Sequence, residues 1–178
     1  MSGKQYQPFT KEPVYQVSLR HAFSAAVTPT VAAAGGTFPV AGTKIALSAA
    51  QSSKALSPFG LGLTSGDLSL DDANDRILLE PGVYRVDVSL LLVENGTDSD
   101  YHVALTTAAA AAVDVEYENV HGAVVLTNSS SHFHTVQYLV VTASRALELH
   151  VAWQTAGATG TIRPGSYIEV RRMGNIDS

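Results

Sequence analysis

The stretch Arg76 to Gly96, RILLEPGVYRVDVSLLLVENG, constrains the fold more than any other part of this chain. Successive side chains of a strand point to opposite faces, so Tyr84, Val86, Val88, Leu90 and Leu92 share one face while Arg85, Asp87 and Ser89 share the other. Pro81-Gly82 is a turn pair that sets the entry to this strand. Asn95-Gly96 supplies the positive dihedrals of a tight exit, within a loop lengthened by Thr97 to Asp100. The Tyr84 face is expected to point into a sandwich. Leu91 and Val93 are apolar on the face that should be wet, and burial by a second subunit is the simplest reason for them.

The two-residue period recurs. In VYQVSLRHAF, Tyr15, Val17, Leu19 and Phe23 fall on one parity. KIALSA (Lys44 to Ala49), LGLTSGDLSL (Leu61 to Leu70), YHVALTT, HGAVVLT, TVQYLVVT (Thr135 to Thr142), ALELHVAW (Ala146 to Trp153) and SYIEVRRM are further strand candidates, with DDANDR (Asp71 to Arg76) as a turn cluster. In ALELHVAW, Leu147, Leu149, Val151 and Trp153 share one face, and Glu148 and His150 the other. The five alanines Ala108 to Ala112 favour helix on propensity but carry no periodicity. Residues 1–13 are polar and end in Glu12-Pro13, which suits an extended arm; residues 25–44, with two prolines and Gly35-Gly36, read as irregular chain that packs on a surface. The remainder, 14–178, is one domain. Short strands separated by turn signals, with no long amphipathic helix, describe an all-β sandwich or barrel.

Composition narrows the role. Sixteen acidic residues against eleven basic ones, net -5, oppose nucleic-acid binding, which needs a dense basic footprint. Hydrophobic residues make up 46% and charged ones only 15%, a sparse supply for a freely exposed surface that points to cover by a partner. The absence of cysteine removes disulfides, thiolate metal sites and cysteine nucleophiles. MSGKQYQPFTKEPVYQ has no apolar segment of the signal type and no membrane-spanning run follows, so synthesis in the cytosol without a membrane anchor is expected.

The order of features resembles the trimeric jelly roll shared by tumour-necrosis-factor-like proteins and the globular heads of complement. The likeness is carried by His21-Ala22-Phe23-Ser24-Ala25 at the opening, by Pro81-Gly82-Val83-Tyr84 leading into the alternating run, and by ALELHVAW followed by a Gly/Thr loop and GSYIEVRRMG. It spans Phe23 to Gly174. The resemblance implies a jelly-roll β-sandwich and a threefold-symmetric homotrimer packed along aromatic and aliphatic residues near the axis.

Residues that would carry chemistry have plainer readings. His132 and His134 share a strand face and suit a transition metal, with His121 or His150 as third ligand; an exposed or interfacial strand end beside NSSS is favoured. Asp71, Asp72 and Asp75 lack the spacing and glycine of a calcium loop. Asp114, Glu116 and Glu118 fit solvated edge charges as well as glycosidase acids, and no nucleophile elbow or phosphate loop is present. The sequons at Asn95 and Asn128 read as turns. Tyr101, Phe133, Tyr138 and Trp153 lie in or beside apolar strands, where a core place is the default; Leu91, Val93, Phe133, Tyr138 and Trp153 are the subunit-interface candidates.

No catalytic, cofactor or metal site is therefore expected. Resemblance and exclusion together point to a non-enzymatic virion structural protein: a trimeric bacteriophage capsid decoration or cement protein, made in the host cytoplasm and bound across major-capsid subunits on the capsid exterior. The alternative is a receptor- or carbohydrate-binding head of a phage fibre or bacterial surface appendage, with an enzyme third.

Overall fold

Tyr84, Val86, Val88, Leu90 and Leu92 are all completely buried, on a strand that runs without interruption from Gly82 to Glu94. The computed structural model describes residues 17–31, 43–56, 67–94, 101–109, 119–126, 131–153 and 160–175. The arm expected over residues 1–13 lies outside the described residues, as do most of the Ala/Gly/Pro segment, the Asn95-Gly96 exit, both sequons and Asp114 to Glu118. Among the described residues the regular elements are strands and two short 3-10 turns, Ala49–Gln51 and Asp72–Asn74. In chain order the strands are β1 (Val17–Ala22), β2 (Thr30–Val31), β3 (Ser52–Leu56), β4 (Leu68–Asp71), β5 (Arg76–Leu79), β6 (Gly82–Glu94), β7 (Tyr101–Ala109), β8 (Asn119–Leu126), β9 (Ser131–Val141), β10 (Arg145–Trp153), β11 (Gly160–Ile162) and β12 (Tyr167–Gly174).

They form two six-stranded sheets. In sheet A, β6 pairs along one edge with β9 and along the other with β12 and then β11, while β1 and β3 continue beyond β12. In sheet B the order is β4-β5-β10-β7-β8, and β2 adds a short parallel pairing to β10. The pairing is otherwise antiparallel, and consecutive strands repeatedly change sheet, as in a jelly roll. The core lies between the sheets: Val17, Leu19 and Phe23 meet the β6 face, Ile168 and Val170 from sheet A, and Tyr101, Val103, Leu105, Leu147, Leu149, Val151 and Trp153 from sheet B.

The turn into β6 is fixed by a distant strand. Arg172 of β12 donates from Nη2 to the Pro81 carbonyl at 2.6 Å, and its Nη1 lies 2.8 Å from Asp67 Oδ2, a close charge pair not aligned as a hydrogen bond. A Cβ on Gly82 would come within 2.7 Å of Arg172 Nε, so glycine makes room for the guanidinium. The Tyr84 hydroxyl completes the corner at the carbonyls of Glu80 and Asp67. DDANDR is a turn, as its composition suggests: Asp71 accepts from Arg76 and Asn74, and Asp75 sits at φ 52° with its carboxylate accepting from the Leu47 backbone N–H.

One local expectation is revised. KIALSA is not a strand: Lys44 makes an isolated bridge to His150, Ile45 to Ser48 carry no regular structure, and a 3-10 turn closes it. Ala108 and Ala109, in a run that carried no helical period, continue β7, and both pair with β10.

Candidate interaction face

The outer face of sheet A is built from the second parity of its strands. β9 contributes His132, His134, Val136, Tyr138 and Val140; β6 contributes Val83, Arg85, Asp87, Ser89 and Leu91; β12 contributes Tyr167, Glu169 and Arg171; β1 contributes Ser18 and Arg20. Rows run straight across it, Arg20–Glu169–Asp87–Val136 and Ser18–Arg171–Arg85–Tyr138 being two of them.

Charges on this face are spent on one another. Arg171 Nε donates to Glu169 at 2.7 Å, and Arg20 lies 3.5 Å from the same carboxylate while stacking 3.9 Å over the Tyr167 ring. Asp87 accepts from His134 Nε2 at 3.0 Å, from Arg85 at 3.2 Å and from the Tyr167 hydroxyl at 3.3 Å. Burial, then the Asp87 charge, push the Tyr167 phenol up. What remains unpaired is apolar: Tyr138 and Val140 are 69% and 68% exposed, and Leu91 is 38% exposed. Internal pairing of the charges lowers the cost of covering the face, and exposed apolar side chains supply a gain from doing so.

The five interface candidates divide. Leu91, Val93 and Tyr138 stand on outward parity, with Val93 half-buried beside Thr161 of β11. Phe133 and Trp153 do not: Phe133 is 6% exposed and Trp153 fully buried, both inside the sandwich, so neither presents surface to a partner. Trp153 stacks on Tyr101, and a Cβ on Gly160 would fall 1.8 Å from its ring, so that corner closes only around glycine.

His132 and His134 share the outer face, stacked with centroids 6.4 Å apart, but each has a neighbour from β6: Ser89 Oγ at 2.8 Å from His132 Nε2, and Asp87 for His134. His121 and His150 belong to β8 and β10 in the other sheet, and the buried His150 side chain is bonded to Glu148. Among the described residues no group of three histidine or carboxylate side chains is arranged to hold a metal ion.

A second polar constellation lies on β10, where sequence parity placed Glu148 and His150 opposite the core. Both are buried. His150 Nε2 donates to Glu148 Oε2 at 3.1 Å, its Nδ1 is 3.1 Å from Thr43 Oγ1, and Lys44 Nζ reaches Glu148 Oε1 at 3.4 Å and donates to the Asn74 carbonyl at 2.9 Å. Burial pulls the Glu148 carboxyl up, but the bond from His150 and the Lys44 charge outweigh it and hold it below its usual range. Hydroxyl, imidazole and carboxylate stand in a relay. With Thr43 1% exposed and His150 at zero, that relay fastens the 43–47 segment to β10 rather than facing a cleft.

No protein-family model and no curated protein sequence matches the chain. Solved structures do. Eiger TNF from S. frugiperda aligns with a TM-score of 0.58 at 13% identity, covering 93% of this chain and 97% of that one. Murine APRIL aligns with a TM-score of 0.51 at 8% identity, covering 89% and 98%. At such identities the likeness is one of fold: the sandwich is a tumour-necrosis-factor-like jelly roll, as the PGVY turn and the strand order suggested.

Proposed function

We propose that the protein is a homotrimeric structural module whose subunits pack through the outer face of sheet A, and that it serves as a capsid decoration protein of a tailed bacteriophage. The observation that carries the self-association is the exposure of Leu91, Tyr138 and Val140 on a face whose charges are already paired. Full burial of such side chains contributes on the order of 2 kcal/mol each. The decoration role draws on the sparse charge of the chain and on the sheet-and-loop architecture, which offers shape and area rather than a reaction centre. A carbohydrate-binding head has less to draw on, since Trp153, the single tryptophan, is in the core.

The test has two stages. Light scattering after size-exclusion is expected to give three times the chain mass for the parent protein and one chain mass for Leu91→Arg; a monomeric parent ends the proposal. Co-sedimentation with empty heads of the phage that encodes the chain is then expected for the trimer, and a trimer that stays in the supernatant removes the decoration role while leaving the assembly.

A further inference from the structure

The end of sheet A where β1 begins is also the end where its apolar residues are most exposed. Val17 pairs with Arg172, Arg172 with Tyr84 and Tyr84 with Leu139, so the first residue of β1 stands in the same cross-strand row as the residue between Tyr138 and Val140. Three strand spacings, about 14 Å, separate them. β1 runs parallel to β6, because each is antiparallel to β12, so β1 begins at the Gly82 end of the sheet. Sixteen residues lie before Val17 and reach about 50 Å when extended. They include Tyr6, Phe9, Val14 and Tyr15 as apolar groups, and Pro8 and Pro13, which bias the residues before them to extended backbone.

We infer that residues 1–16 of one subunit seat on the Val136–Tyr138–Val140 end of the outer face of sheet A in a second copy of this chain, an arm exchange between subunits. The inference rests on the self-association reading. It gives the most exposed apolar side chains of the described residues a specific occupant, and gives the aromatic residues of a polar segment something to bind. Main-chain pairing is open to the arm as well: β9 is hydrogen-bonded along one edge only, to β6, among the described strands.

The absence of cysteine makes the test clean. In the full chain, Phe9→Cys combined with Val140→Cys is expected to form a disulfide between subunits under mild oxidation, seen as covalent oligomers on a denaturing gel. A bridge confined to one chain, or none, overturns the exchange. Independently, alkylation of Val140→Cys is expected to speed up at least tenfold when Tyr6 and Phe9 are replaced by serine; an unchanged rate counts against the arm. The mass of the parent protein separates the two failures: a monomer sinks the assembly itself, whereas a trimer with neither crosslink nor rate change sinks only the arm.

Discussion

His21 shows what one side chain inside an apolar row costs and what it signals. It shares the parity of Val17 and Leu19, so its burial is legible in the sequence, but its partners are not: Ser52 Oγ lies 3.0 Å from Nδ1, and Phe23 meets the ring edge-on at 4.7 Å. Burial holds its pKa below 6.5, against a weaker opposing bond with the Ser48 backbone. The unfolded chain binds this proton more readily than the folded one, so the stability involved is intact above pH 6.5 and is lost as pH falls from there towards the folded pKa. Urea denaturation at pH 7.5 and 5.5 is expected to show a loss on the order of 1 kcal/mol at the lower pH. His21→Phe is expected to flatten that difference, and an equally acid-sensitive variant would place the proton elsewhere.

At the scale of elements, alternation was readable and cover was not. β6 and β12 bury the faces their parity assigns, because each pattern is written within a few consecutive residues, whereas β7 is buried on both faces over most of its length. β10 departs from that rule. Glu148 and His150 read as a wet face, yet all of Ala146 to Trp153 is buried, with the 43–47 segment, about a hundred residues earlier, hydrogen-bonded to that strand. No local period records such a contact. Glu148→Gln leaves Lys44 facing a neutral amide, and removal of one partner of a buried pair costs about 3–5 kcal/mol at its most severe; Thr43→Val, which removes one hydroxyl, is expected to cost about 1 kcal/mol. Because the Glu148 carboxyl is held below 4.5, its contribution is full above that pH and disappears as pH falls through the folded value. Hydrogen exchange at the Ile45 amide, bonded to the Leu149 carbonyl, reports the release directly and is expected to accelerate in Glu148→Gln well before global unfolding. Protection equal to the parent's would show that the relay does not hold the segment.

At the scale of the molecule, the all-β sandwich followed from turns and alternation, and the jelly roll from the resemblance that Pro81-Gly82-Val83-Tyr84 helps to carry, while the division of the aromatic residues between core and surface did not follow from either. Tyr138 reads like Phe133 in a string of apolar letters, and only the register of β9 on β6 turns one outward and the other inward. Sheet A is also a closure device: β12 stands between β1 and β6 and gives each of them an edge. A chain ending at Arg163 would lack that strand, and is expected to show no cooperative thermal transition and to bind a hydrophobic dye. A sharp transition in that fragment would mean that sheet B and the remaining strands fold without it.

The adjacency of β1 and β12 sets a timetable for birth on the ribosome. The first described strand to emerge meets β3 early, but its pairing with β12 must wait until the last strand has been translated, some 145 residues later between Ala22 and Tyr167, which takes on the order of ten seconds at bacterial or eukaryotic elongation rates. Through that interval one edge of β1 and one flank of β6 wait unpaired, the state most prone to capture by chaperones or by other nascent chains. The complete outward surface of sheet A, with β12 joining β1 to β6, does not exist until then, so the packing of copies proposed above belongs to finished polypeptides rather than to neighbours on one messenger.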